Sequence, residues 1–160
     1  MPSPRLLGPN SGLTLRAARP ADLGALLALE ERAFRTDRIA RRSFRRFLAA
    51  PNAALIVAEL AGAFAGYALV SLRTDSKAAR LYSIAVARKA AGHGIGRALL
   101  SAAEAAARAR GAEAMRLEVH ERNRRAAKLY RLNGYQPIGR RDGYYGDGGA
   151  ALRFEKFLAP

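Results

Sequence analysis

Glu118 and Tyr130 are the residues whose types and places in the chain point to proton transfer. Glu118 lies in the run MRLEVH, residues 115–120, where Met115, Leu117 and Val119 alternate with polar residues. In a strand its side chain points to the face opposite theirs. A carboxylate at such a strand end, against apolar walls, can take a proton directly or through water. A solvent-facing Glu would fit the same alternation. Tyr130 falls twelve residues later in AAKLY. A phenol there packs as a core aromatic or, at the border of a cleft, donates a proton to a leaving group. Asn123 precedes that segment at a helix N-cap position, and capping accounts for it. His93 and His120 are the two histidines. Without a matching carboxylate or Cys pattern they make a poor metal site, so no metal is expected. His93 reads as a solvent-facing loop residue, and His120 as a strand-end residue near the cleft.

A second chemical signal stands upstream. Leu81 to Arg110 reads as a short strand, a loop with Gly92, Gly94 and Gly96, and an Ala- and Leu-rich helix. Glycines let main-chain N–H groups approach a ligand, and a helix start adds unpaired N–H groups and a positive dipole end. Together they can seat a phosphate. The spacing G-x-G-x-G is neither the dinucleotide fingerprint nor a nucleoside-triphosphate loop, and Arg97 follows where that loop needs Lys-Ser/Thr. A plain turn between two elements fits the three glycines equally well.

These residues must be positioned by the surrounding elements. Leu13 to Ala17 alternates as a half-buried strand. A helix is expected from about Pro20 to Phe34, with Asp22 in its first turn, and another from Ser43 to Ala49, ended by Pro51. Ala54 to Leu60 and Phe64 to Leu72 form a hairpin over Gly62, and Gly66 within the second strand marks a bulge or a close backbone approach. Ala79 to Val86 is the strand before the glycine loop. Ile95 to Arg110 is a helix with Leu99, Leu100, Ala103 and Ala106–Ala107 inward, stopped by Gly111. Met115 to His120 is the next strand, so strand, helix and strand imply a parallel crossover. Arg124 to Leu132 is a fourth helix. Tyr135 to Tyr144 and Ala150 to Leu158 pair as a last hairpin. The expected fold is one α/β domain over residues 12–160: a mixed sheet with antiparallel ends and a central parallel pair, flanked by about four helices. Residues 1–11 read as a flexible tail with no signal peptide or membrane span.

The chain has 160 residues and a formal net charge of +15, and 24 of its 28 basic residues are arginine. Arg binds phosphate and carboxylate through a planar fork, so the charge suits an anionic partner. An Arg-biased solvated surface fits as well. The most basic stretch runs from Arg35 to Arg46, RTDRIARRSFRR. Its arginines suit an acidic or nucleic-acid partner or the polar side of an amphipathic helix, while Ile39, Phe44 and Phe47 show that it docks on the body. There is no cysteine, which excludes disulfides, thiolate catalysis and Cys-based zinc sites and fits a reducing, cytoplasmic setting.

Four blocks carry a resemblance: IAV at 84–86, AGHGIGRALL at 91–100, LEVHERNRRAAKLY at 117–130 and NGYQPIGRRDGYY at 133–145. The succession resembles the GNAT superfamily of N-acetyltransferases over nearly the whole chain. The pattern LEV-x-x-x-N-x-x-A-x-x-LY-x-x-x-GY is similar to the RimI-like branch, which acetylates the N-terminal alanine amine of ribosomal proteins. The resemblance implies acetyl-CoA as donor, with no metal. Ile84, Ala85 and Val86 would hold its pantetheine arm through their backbone, and Gly92, His93, Gly94, Ile95, Gly96 and Arg97 its diphosphate. Asn123 would touch the cofactor, Glu118 would be the general base and Tyr130 the general acid. The family loop usually begins with Gln or Arg, and Ala91 stands there here; Arg88, Lys89 or His93 can supply the missing side chain. The implied acceptor is a protein or peptide terminal amine, ribosomal or acidic, on a monomer or homodimer away from any membrane. A lysine side chain or small amine as acceptor, a non-catalytic RNA-binding module with weak contact through residues 35–46, and an acetyl-CoA sensor are the competing readings.

Overall fold

The computed structural model of the chain describes residues 12–159. The tail expected at residues 1–11 lies outside them. Seven strands form one sheet: β1 Leu13–Ala17, β2 Ala53–Leu60, β3 Ala63–Ser71, β4 Ala78–Val86, β5 Ala114–His120, β6 Gln136–Arg141 and β7 Ala151–Phe157. Their order is β1-β2-β3-β4-β5-β7-β6. Only β4 and β5 run parallel, and the pairs on either side are antiparallel. Four α-helices join them: α1 Leu23–Ala33, α2 Arg41–Ala49, α3 Ile95–Ala109 and α4 Arg124–Leu132. The expected mixed sheet, with its parallel pair between β4 and β5, is therefore the one observed.

Element bounds differ from expectation in a few places. A 3-10 turn, Pro20–Asp22, precedes α1, and the Asp22 carboxylate accepts from the Arg19 backbone N–H at 2.7 Å and from Arg16 at 2.8 Å. The Arg16 guanidinium holds Asp22 below its ordinary acidity range and also reaches Glu59, which ties β1 to β2 and to the start of α1. Helix α2 begins at Arg41, two residues before Ser43, because Ala40 is already extended and Ser43 lies inside the first turn. β6 ends at Arg141 rather than Tyr144. A bulge at Ile138 bends it, and Gly143 takes φ of 62°, so the chain leaves the sheet early.

Two apolar clusters cover the two sheet faces. On one face α3 and α4 pack Leu99, Leu100, Ala103, Ala127 and Tyr130 against Val70, Leu81, Met115, Leu117 and Phe154. On the other, α1 and α2 pack Leu26, Leu29 and Phe44 against Leu55, Tyr67, Leu69 and Ala85. This second cluster takes nothing from β5, β6 or β7. On that half of the sheet the second face is written with Arg116, Glu118, His120, Arg153 and Glu155 instead. Buried Glu30 of α1 holds α1 and β3 together: it accepts from the Tyr67 hydroxyl and from the Ile39 backbone N–H, the latter at 2.7 Å. Burial pushes its carboxyl up against the lowering effect of those two bonds.

The feature that shapes the site is the joint between β4 and β5. They pair over only Ala78↔Ala114, Ala79↔Met115 and Arg80↔Arg116. Beyond that point β4 continues to Val86 bonded to β3 alone, and β5 continues to His120 bonded to β7 alone. A bulge sits on β4 at this place: Ser83 faces Leu69 and Leu81 faces Val70, leaving Tyr82 extra. A bulge bends its strand and raises the local twist, which carries β4 away from β5.

Gly66 of β3 meets both signals read from the sequence. The neighbouring register shifts between Ala58 and Glu59, and a Cβ at Gly66 would stand 2.6 Å from the Ala85 carbonyl oxygen of β4. Gly66→Ala therefore forces β4 outward near Ala85. It should lower stability by about 1–3 kcal/mol in urea unfolding, as overpacking does.

Candidate active site

The candidate site residues come from β4, the start of α3, β5 and α4 with its cap. On the β4 side stand Ile84, buried Ala85 and Val86, whose strand has β3 on one edge and no partner on the other. An extended ligand arm can add to such an edge through main-chain hydrogen bonds. At the end of β4 a 3-10 turn, Arg88–Ala90, leads into the glycine loop. Gly94 is the N-cap of α3 and takes φ of 70°, a left-handed value that glycine adopts freely. No side chain caps the helix there, and its first turn holds no acidic residue. The N–H groups of Ile95, Gly96 and Arg97 thus face the loop at the positive end of a 15-residue helix. This arrangement fits a diphosphate. His93 departs from the expected solvent-facing role: it is half-buried, and its Nδ1 lies 3.0 Å from the Ala90 carbonyl oxygen. The ring braces the loop on its own backbone.

On the β5 side, Glu118 points away from the α3 and α4 core, as the alternation requires. Its surroundings correct the expectation of apolar walls. Arg80 Nη2 stands 3.0 Å from one carboxylate oxygen, and Arg153 Nε stands 3.5 Å from the other. Neither contact is aligned as a hydrogen bond. Glu118 Oε1 and Arg153 Nε are both sealed from solvent without a hydrogen-bond partner among the described residues. Buried polar atoms normally have partners, so these two have unused capacity beside the opening. Arg153 lies directly opposite Glu118 in the β5–β7 ladder.

Tyr130 of α4 approaches from the other face. Its ring is 5 % exposed and packs between Tyr135 at 5.8 Å and Phe154 at 6.3 Å. Its hydroxyl makes no hydrogen bond among the described residues, yet it is not one of the sealed polar atoms. Core packing thus fixes the ring while the hydroxyl keeps an outlet. Burial, and secondarily Tyr145, push the phenol above its ordinary value of 10.0. Tyr135 is held in turn by a 2.9 Å bond to buried Glu104, which also accepts from Lys156 at 3.0 Å. Asn123 caps α4, its side chain accepting from Ala126 N–H at 3.1 Å.

The loop between β6 and β7 closes the far side. His120 Nε2 lies 2.9 Å from Asp147, and its ring stacks on Tyr145 at 4.9 Å. Tyr145 is pushed up to about 12 by burial first, then by Tyr144 and Glu118. Asp37, in the segment between α1 and α2, accepts from Gly146 N–H at 2.9 Å. The start of the basic stretch therefore borders this loop. Within that stretch Ile39 and Phe44 are buried, while Arg35, Arg38, Arg41, Arg42, Arg45 and Arg46 are exposed. Helix α2 has the amphipathic form.

Sequence reasoning reached Glu118, Tyr130 and the glycine loop but missed Arg80, Arg153 and Tyr82. Arg80 stands inside a recognised strand, yet nothing local shows that it reaches Glu118. Arg153 becomes visible only through the β5–β7 register. Among the described residues there is no group of three or more His, Asp or Glu able to hold a metal, and no helix is long and apolar enough to cross a membrane.

Residues 23–135 match the acetyltransferase (GNAT) family. The chain belongs to that family. It is a GNAT-family N-acetyltransferase, and enzymes of this family use acetyl-CoA. A Bacillus subtilis (strain 168) protein, named provisionally as a ribosomal protein bS18-alanine N-acetyltransferase, is 29 % identical over 135 residues, covering 84 % of this chain and 88 % of that protein. The solved ribosomal-protein-S18-alanine N-acetyltransferase of Escherichia coli is similar with a TM-score of 0.80 and 25 % identity, over 92 % of this chain and 95 % of that one. A Salmonella typhimurium protein, yncA, solved with its cofactor acetyl-CoA, shares the fold with a TM-score of 0.79 at 20 % identity, over 92 % of this chain and 95 % of its own.

The bracing of Tyr130 can be tested directly. Tyr135→Phe removes the donor to Glu104 Oε2 and leaves that buried oxygen short of a partner. It should cost about 1–3 kcal/mol in urea unfolding. A change well under that range would show that Glu104 is satisfied without Tyr135.

Proposed function

We propose that this enzyme transfers the acetyl group of acetyl-CoA to the N-terminal α-amine of a protein or peptide, by direct attack in a ternary complex. The observation that carries the reading is the parting of β4 and β5 after Arg80↔Arg116, with Glu118 on β5 just past that point and the Tyr130 hydroxyl unbonded among the described residues. The similarity to two ribosomal-protein alanine N-acetyltransferases supports a terminal amine as acceptor. The catalytic domain is residues 12–160, and a cytoplasmic setting fits the bacterial relative.

When bound, the cofactor supplies an activated acyl group as a thioester. The free edge of β4 at Ile84, Ala85 and Val86 holds its arm, and the N–H groups from Gly92 through Gly96, with Arg97 beside them, hold its diphosphate. His93 fixes the loop, and Asn123, whose Oδ1 already caps α4, offers its amide N–H₂. Backbone N–H groups can neutralise the diphosphate without a side chain at Ala91, and Arg88 and Lys89 are adjacent. On the acceptor side, an α-amine with an ordinary pKa of about 7.7–8.0 is largely protonated at neutral pH. Glu118 takes that proton, directly or through a water. A main-chain N–H of β4 stabilises negative charge on the attacked carbonyl oxygen. Tyr130 donates its proton to the departing sulfur. Holding both substrates in one opening removes much of the entropic barrier.

Glu118→Gln should lower kcat/KM by about 10²–10⁴-fold near pH 7, as loss of a general base does. The deficit should shrink as pH rises, because the free amine then forms without help. An equal deficit at all pH values would remove Glu118 from the role. Tyr130→Phe should lower kcat and leave acetyl-CoA affinity nearly unchanged. Because burial raises the Tyr130 phenol above 10.0, it stays protonated over the neutral and mildly alkaline range. No alkaline fall in kcat below that value should be traceable to it, and a wild-type fall at lower pH that Tyr130→Phe abolishes would contradict this. The acceptor class is tested with peptide libraries, acetyl-CoA and mass spectrometry. Acetylated N-termini are expected, and modification of internal lysines alone would overturn the terminal-amine reading.

A further inference from the structure

We infer that the acceptor carries a carboxylate within a few bonds of its reacting amine, and that Arg80 is the residue that reads it. The inference rests on the terminal-amine reading above and adds the chemistry of the group next to that amine.

The charge around Glu118 is unbalanced. Two guanidinium groups, from Arg80 and Arg153, stand within 3.5 Å of a single carboxylate. An amine arriving at Glu118 in its protonated form adds a further positive charge. An acceptor that brings its own oxyanion offsets that excess, whereas one with a basic second residue adds to it.

Arg80 is built to receive such a group. Its side chain is 47 % exposed, so it is open to an incoming ligand rather than sealed in the core. Its guanidinium lies over the Tyr82 ring at 5.2 Å, and Nη2 donates to the Tyr144 hydroxyl at 3.1 Å. Those contacts fix its plane. Nε and Nη1 make no hydrogen bond among the described residues, so three N–H donors of the guanidinium remain for an acceptor oxyanion. Glu118 is within the same guanidinium's reach, so a carboxylate on Arg80 places an amine a few bonds away beside the proposed base.

The rim continues the pattern. Arg46 lies over Phe47 at 5.1 Å, Phe47 packs on Tyr82 at 5.3 Å, and Arg141 lies over Tyr144 at 5.9 Å. Arginines and aromatic rings thus pack on one another from α2 across β4 to β6. This ladder is where part of the net charge of +15 is concentrated. It suits an acidic chain and repels a basic one.

The carboxylate can come from an acidic side chain at the second position of a protein terminus or from the α-carboxylate of a free amino acid. C-terminally amidated peptides beginning alanine-aspartate, alanine-glutamate, alanine-alanine and alanine-arginine separate the first source, and free alanine and glutamate the second. With acetyl-CoA saturating, the acidic acceptors of one source should exceed the neutral and basic peptides in kcat/KM by about tenfold or more, chiefly through KM. The preference should shrink as ionic strength rises. R80Q should collapse the acidic-to-basic ratio, R80E should invert it, and R80K, which keeps the charge without the fork, should fall between. Because each ratio is read on one preparation, partial unfolding of a variant leaves it unchanged. Equal rates on acidic, neutral and basic termini, or a ratio untouched by R80Q, would overturn this inference while leaving the terminal-amine reading intact. Acetylation of free alanine and glutamate without any peptide terminus would keep this inference and overturn the peptide-terminus reading, and acetylation of neither would overturn both.

Discussion

Strands β4 and β5 hold each other through three residue pairs and then separate, and the rest of the molecule is arranged around that separation. Parallel strands normally continue side by side until one of them ends. Here an extra residue at Tyr82 bends β4 just past the last shared pair. The two strands then find separate partners, β3 for one and β7 for the other. Backbone groups that a closed sheet would consume are left for a ligand. Neither strand could tolerate this alone: each needs full pairing on its outer edge, and the antiparallel ends of the sheet supply it.

The same separation divides the labour between the two faces. The α3 and α4 side is apolar and supplies Tyr130, whose ring is held by Tyr135 and Phe154. The opposite side is apolar only under α1 and α2. Beyond β4 it becomes charged, and Glu118 stands at that boundary. The Tyr130 phenol is thus surrounded by apolar packing, and the Glu118 carboxylate by charges. Helix α3 begins at the third side of that opening, and its uncapped first turn adds a fixed positive potential where a diphosphate would lie.

Much of this was legible before the fold was known. The alternation in MRLEVH gave Glu118 its face, since a period of two allows only one assignment once Leu117 and Val119 are buried. Gly66 announced a bulge or a close approach, and the structure has both. The loop from Gly92 to Gly96 and the cap at Asn123 follow from local backbone chemistry, and each stands where it was expected. The family motif extended this reading, because LEV, Asn, LY and GY keep a fixed spacing across a strand, a cap and a helix. Local reasoning failed where a side chain reaches outside its own element. Helix α2 starts at Arg41, two residues before the expected Ser43, because Ala40 is the extended residue that precedes it. His93 resembles a solvent residue, but its ring folds back onto Ala90.

The sequence by itself determined the element order, the inward faces and the glycine-rich start of α3, and the family resemblance named the acid and base candidates. The first three depend on periodicity, capping and turn propensity over a few residues, which act within one segment. Only the tertiary structure decided what surrounds them. Arg80 and Arg153 are 38 and 35 residues from Glu118 in the chain, and the β4–β5 joint and the β5–β7 register bring both to its carboxylate. The charge that meets an incoming acceptor is a sum over side chains from separate strands, and no local pattern encodes that sum.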